Sequence, residues 1–183
     1  MKTLIFLGSP RPSGDTRALL GRLLQNLSGE YLLVDAYRDK IHPCTDCRAC
    51  REKSGCVFRD DMQRVYDYIL ECDNVLIAAP LYFSELPGPL LNVFSRLQCM
   101  YSARRFRREK QEIREKKGGV MLVGGGDGGP GKALDTCEGI FRYYMNVKCT
   151  HPPVMSLQTD RLPACQDEEA LRAVDQLCAF FNE

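Results

Sequence analysis

No charge of either sign dominates this sequence: 25 Lys and Arg stand against 24 Asp and Glu, for a formal net charge of +1. A global field that would gather nucleic acid or an anionic membrane is therefore excluded, and partner choice must rest on local sites. Histidine is scarce, and His42 and His151 are isolated, so neither is assigned a catalytic role. Long apolar runs are missing too. The chain passes from Met1 and Lys2 into residues 3–7 and breaks at Gly8, a run too short for a signal peptide or a spanning helix, so a cytoplasmic setting is expected. Repeats, low-complexity tracts and Pro/Ser-rich linkers are also absent, and 183 residues with 44% hydrophobic content are expected to form one domain, 1–183.

Five apolar or β-branched runs read as buried strands: residues 3–7, 31–35, 74–79, 119–124 and 149–157. Helical stripes alternate with them. Leu19, Leu20, Leu23, Leu24 and Leu27 form one; Val65, Tyr66, Ile69 and Leu70 another; Leu90, Val93, Phe94 and Leu97 a third; residues 133–145 and 168–181 supply the last two. Continuous apolar strands, each followed by a helix, cannot be hairpins, because parallel neighbours need crossovers and both sheet faces must be covered. The fold class is α/β, a doubly wound sheet, and ligands in such sheets sit beyond the carboxyl ends of the strands.

The first strand-end loop runs from Gly8 through Ser9, Arg11, Ser13, Gly14, Asp15, Thr16 and Arg17 into the leucine stripe. Small and hydroxylated residues before a helix let backbone N–H groups close around a phosphate, and the arginines add charge. An ordinary turn capped by Asp15 or Thr16 is the plainer reading, but it explains neither the arginines nor the loop length. No cysteine occurs in residues 1–43, which sets aside a cysteine-dependent phosphatase, and G-x-G-x-x-G is missing after the first strand, which weakens a dinucleotide fold.

The third strand ends in Pro80-Leu81-Tyr82-Phe83-Ser84, where adjacent aromatics suit either stacking on a planar heterocycle or closing the core. The fourth runs into Gly124-Gly125-Gly126-Asp127, whose glycines permit close backbone approach to a ring or simply make a flexible loop. Residues 126–132 match G-x-x-x-x-G-K, but Ala133 stands where a magnesium-binding hydroxyl is required, which argues against ATP.

The ten cysteines have no signal segment to suggest secretion, so reduced thiols, a metal or a redox centre are favoured over disulfides. Cys44, Cys47, Cys50 and Cys56 have the spacing C-x2-C-x2-C-x5-C within a loop over residues 42–60. That spacing suits a [4Fe-4S] cluster; free or structural thiols and tetrahedral zinc remain open. Arg48, Arg51 and Lys53 would lower thiol pKa values, so oxidation is open as well. The other six cysteines are scattered, as small buried hydrophobes would be. The basic stretch from Arg104 to Lys117 suits the 2′-phosphate of NADPH, an acidic redox partner or, more simply, a solvated helix end.

Taken together, Gly8-Ser9-Pro10-Arg11, Pro80-Leu81-Tyr82-Phe83 and Asp60-Asp61-Met62 after the cysteines resemble the flavodoxin-like NADPH-dependent FMN reductase family. The cysteine spacing resembles its iron–sulfur flavoproteins. The resemblance implies a flavodoxin-like three-layer sandwich of strand order 2-1-3-4-5 and a homodimer or homotetramer. It implies FMN phosphate at Ser9, Arg11, Gly14, Asp15, Thr16 and Arg17, with the flavin ring between residues 80–84 and 124–127. NAD(P)H would be the electron donor, with a small-molecule or protein acceptor. A non-enzymatic carrier or redox sensor is the rival function. The family commonly has a Lys and an Asp-Arg pair on the helix after the tyrosine loop; here Leu91 and Ser95-Arg96 stand there.

Overall fold

A computed structural model describes residues 1–126 and 128–183. Strands β1 (Lys2–Leu7), β2 (Glu30–Asp35), β3 (Asn74–Pro80) and β4 (Lys116–Gly124) form a parallel sheet with two short strands, β5 (Val147–Thr150) and β6 (Val154–Leu157). The order is β2-β1-β3-β4-β5, with β6 also pairing to β4. Side-chain alternation explains the unbroken apolar runs. Leu4, Phe6, Val75, Ile77, Val120 and Leu122 enter one core layer; Ile5, Leu7, Leu76, Ala78, Met121 and Val123 enter the other.

Helices α2 (Met62–Glu71), α3 (Gly88–Ser95), α4 (Gln98–Arg105) and α5 (Gly131–Ile140) cover the first layer; α1 (Asp15–Asn26) and α6 (Glu168–Asn182) cover the second. Gly119 admits this second cover closely: a Cβ there would lie 2.6 Å from Leu177 Cδ1 and 2.9 Å from Phe181 Cζ. None of the described helices is long and apolar enough to cross a membrane.

The structure departs from the expected pattern in four places. The fifth run is split, because Pro152 and Pro153 cannot donate to a ladder. Its two halves join β4 at opposite ends, Lys116 facing Val147 and Gly124 facing Leu157. The third stripe is divided between α3 and α4 at Arg96 and Leu97, and residues 141–145 form a π-helical turn after α5. The basic stretch is not one helix end. Arg104 and Arg105 close α4, Arg107 pairs with Glu109 at 2.7 Å, Arg114 pairs with Asp73 at 2.5 Å, and Lys116 is buried at the start of β4.

Candidate functional site

The turns after β1, β3 and β4 meet at the carboxyl edge of the sheet around a cavity of about 210 Å³. Hydrogen bonds across the strand ends fix them: Gly8 N–H donates to Ala78 O at 2.8 Å, and Leu81 N–H to Val123 O at 2.8 Å. From the first turn come Ser9, Arg11, Gly14, Asp15 and Thr16; from the second Pro80, Leu81 and Tyr82; from the third Gly125. Helix α1 is capped by neither Asp15 nor Thr16. Its N-cap is Gly14, which offers no side-chain acceptor, while the Asp15 carboxylate accepts from Ala164 N–H at 2.8 Å. Helix α1 therefore starts, with its positive end, among the residues that line the cavity, beside Ser9 and Arg11.

Arg17 does not line this cavity. Its guanidinium donates to Asp35, which also accepts from Arg38 at 2.8 Å. Burial pushes the Asp35 carboxyl up, but the two arginines and the Tyr37 N–H outweigh it and hold the carboxyl below its usual range.

Phe83 and Ser84 are not among the residues that line the cavity. Tyr82 and Glu85 pair as a bridge across a two-residue turn, Tyr82 N–H donating to Glu85 O at 2.9 Å and Glu85 N–H to Tyr82 O at 3.0 Å. The central residues take φ of 55° and 65°, as such hairpin turns require. Phe83 is 99% exposed and Tyr82 43%, so these rings do not close the core. Glu85 locks the turn to α5 by accepting from Thr136 Oγ1 at 3.1 Å. Burial raises the pKa of the Tyr37 phenol, and the Tyr82 phenol adds to the rise.

Gly124 and Gly126 frame Gly125 without lining the cavity; Asp127 lies outside the described residues. The sequence reading missed Thr159 and Asp160, which line the cavity from the turn after β6. Their N–H groups donate to Gly124 O at 2.9 Å and Gly125 O at 3.2 Å. The signal that would have found them is the rule that already selected the other turns, applied to the end of the fifth strand.

A second cavity is lined by all four clustered cysteines, together with Arg96, Cys99 and Ser102. The loop wraps through positive φ at Asp46 and Arg48 and is pinned to the α3–α4 segment. Cys44 N–H donates to Ser95 Oγ at 2.9 Å, Cys50 Sγ to Ser102 Oγ at 3.3 Å, and Arg107 Nη1 to Cys50 O. None of the ten cysteines forms a disulfide. Cys72, Cys99, Cys137 and Cys178 are buried as expected, whereas Cys149 and Cys165 are exposed. Burial pushes the Cys99 thiol up to about 11 and those of Cys72 and Cys137 up to about 12.

Among the described residues, no three His, Cys, Asp or Glu side chains converge closely enough to hold a single metal ion. A tetrahedral zinc at about 2.3 Å from each sulfur would need the sulfurs roughly 3.8 Å apart, so the thiols as placed do not form that site. Their free space is about 20 Å³, room for about one water. A bonded metal approaches sulfur about an ångström closer than a non-bonded atom does, so covalent ligation reaches space that solvent does not.

The chain is similar to several known proteins. An iron–sulfur flavoprotein of Methanosarcina thermophila is 29% identical over 140 residues, 74% of this chain and 70% of that protein. One from Methanocaldococcus jannaschii is 30% identical over 145 residues, 77% and 71% of the two chains. Among solved structures, the NAD(P)H:quinone oxidoreductase from Methanothermobacter marburgensis superposes with TM-score 0.70 at 18% identity, covering 98% of this chain and 96% of that one. An FMN-dependent NADH-azoreductase from Bacillus anthracis, solved with FMN, gives 0.69 at 16% identity, covering 100% of both. These structural likenesses establish the flavodoxin-like fold. The model of the NADPH-dependent FMN reductases matches residues 1–164, and the chain belongs to that family.

Proposed function

We propose that this chain binds FMN at the strand-end cavity and uses it to pass electrons from NAD(P)H to a separate acceptor. The observation that carries this reading is the convergence of an uncapped helix N-terminus, a free arginine and an aromatic turn on one cavity. FMN fits these residues part by part. Its phosphate would be held by the first-turn amides of α1 with Ser9, Thr16 and Arg11, and its ring would lie against Pro80, Leu81 and Tyr82, with Gly125 offering unobstructed backbone. FMN would supply a ring that takes a hydride and releases electrons singly or in pairs. The chain's part is to hold that ring at the sheet edge, with Tyr82 and the exposed Phe83 as walls on which a second planar molecule stacks. Anaerobic protein reconstituted with FMN is expected to bleach on adding NADPH or NADH. Failure to retain FMN sinks the reading, and FMN retained without reduction by either nucleotide replaces the enzyme with a carrier.

One observation favours a second centre. Four thiols line one cavity beside a buried arginine whose Nε–H has no partner. Cys44, Cys47, Cys50 and Cys56 would hold a [4Fe-4S] cluster there, since four anionic sulfur donors spread around a space suit a cubane better than a single ion. The relatives named iron–sulfur flavoproteins support this reading. The cluster would supply one-electron storage; the chain would supply the thiols and the pinned loop. Iron content and visible absorbance of anaerobically purified protein test it, and a preparation without iron or sulfide rejects it.

A further inference from the structure

Arg48 and Arg51 of the loop itself line the thiol cavity, but the buried cation there, Arg96, comes from outside the loop. Arg96 is 1% exposed. Its Nη1 donates to Asp60 Oδ2 at 2.6 Å and His42 O at 2.7 Å, and its Nη2 to Asp60 Oδ1 at 3.2 Å. The Phe58 ring lies 5.2 Å from the guanidinium carbon. Asp60 also accepts from His42 N–H at 3.0 Å and Met62 N–H at 3.2 Å, so the Arg96–Asp60 pair ties together the two ends of the cysteine loop. A clamp of this kind needs only the two Nη groups, yet the buried Nε–H is left without a partner in a residue that lines the thiol cavity. A buried donor left unpaired is costly, and a guanidinium cannot relieve that cost by losing its proton.

We propose that Arg96, oriented by Asp60, is a positioning residue for the cysteine site, a fixed cation that favours the more negative, reduced state of a four-iron cluster held by Cys44, Cys47, Cys50 and Cys56. The inference rests on the iron–sulfur reading above. A one-electron reduction adds a negative charge to an assembly already negative through its thiolates, and a fixed positive charge beside it lowers the cost of that addition. Asp60 opposes the effect with its own charge while fixing the guanidinium's place.

The test is a redox titration followed by electron paramagnetic resonance on the anaerobically reconstituted holoprotein, with iron counted in every sample. Arg96→Gln is expected to shift the oxidised-to-reduced ratio about tenfold toward oxidised, about 59 mV lower for a one-electron couple. Asp60→Asn is expected to shift it toward reduced, and Arg96→Lys to stay near the parent. A purely structural clamp moves Arg96→Gln and Asp60→Asn the same way, or moves neither, and that result overturns the proposal. Should Arg96→Gln fail to fold, Asp60→Asn decides alone: no shift, or a shift toward oxidised, overturns it. Iron missing from the reconstituted parent protein overturns the cluster reading itself, and this inference with it.

Discussion

Gly125 and Asp160 approach so closely that a β-carbon on the glycine would stand 2.8 Å from both carboxylate oxygens. Both residues line the strand-end cavity, and Asp160 N–H donates to Gly125 O at 3.2 Å, so the glycine loop and the turn after β6 are packed backbone to backbone. Gly125→Ala is therefore expected to push the Asp160 turn outward and weaken FMN binding about tenfold or more. Thermal unfolding without flavin is expected to change little, because neither residue belongs to the apolar core. Flavin fluorescence quenching measures the first effect and calorimetry the second; unchanged FMN affinity would remove Gly125 from the site.

The Asp35 carboxylate gives the fold an acid-sensitive link between β2 and α1. Its folded pKa lies below the ordinary carboxylate value of about 3.9. The stabilisation is thus complete above that value and fades as the pH falls below it toward the folded pKa. Asp35→Asn is expected to cost about 2 kcal/mol at pH 7, because Arg17 is left half-buried beside a neutral partner. It should also flatten the fall in stability below about pH 4. Urea unfolding of both proteins from pH 7 to pH 3 measures the difference. Parallel curves would show that Asp35 titrates alike in the folded and unfolded chains.

Phe83 and Ser84 both adopt positive φ at the tip of an exposed turn, a conformation that bulky side chains take at a cost. Phe83 has no core to fill, since it is 99% exposed. Phe83→Gly is expected to leave stability unchanged or raise it by up to about 1 kcal/mol. The same change is expected to raise KM for the nicotinamide nucleotide several-fold, through loss of a stacking wall. Improved stability with unaltered KM would assign Phe83 to some other partner.

The central strands were legible in the sequence because both of their faces are buried, so runs such as Leu4-Ile5-Phe6-Leu7 carry no polar interruptions. The break at Arg96 was not, since apolar spacing continues smoothly to Leu97 and only the distant Asp60 shows where the guanidinium must reach. The same limit applies at the site. Loop composition pointed to Ser9, Arg11 and Thr16, but could not tell that Arg17 is taken by Asp35 or that Thr159 and Asp160 arrive from a strand split by two prolines. Cysteine spacing identified four thiols, while Arg96, Cys99 and Ser102 reach their cavity only through the packing of α3 and α4.

Arg11 separates recognition of the phosphate from recognition of the ring. It is exposed, it lines the cavity, and no carboxylate among the described residues forms an ion pair with it. Its removal should therefore leave the fold intact, with Arg11→Ala changing unfolding free energy by less than about 0.5 kcal/mol. FMN affinity is expected to fall about tenfold and to lose part of its salt dependence, because one charge-assisted contact to the phosphate is gone. Riboflavin, which has the same ring and no phosphate, should bind the variant and the parent alike. Titrating both flavins into both proteins at two salt concentrations makes the comparison. Equal losses for FMN and riboflavin would place Arg11 against the ring and displace the phosphate from the α1 N-terminus.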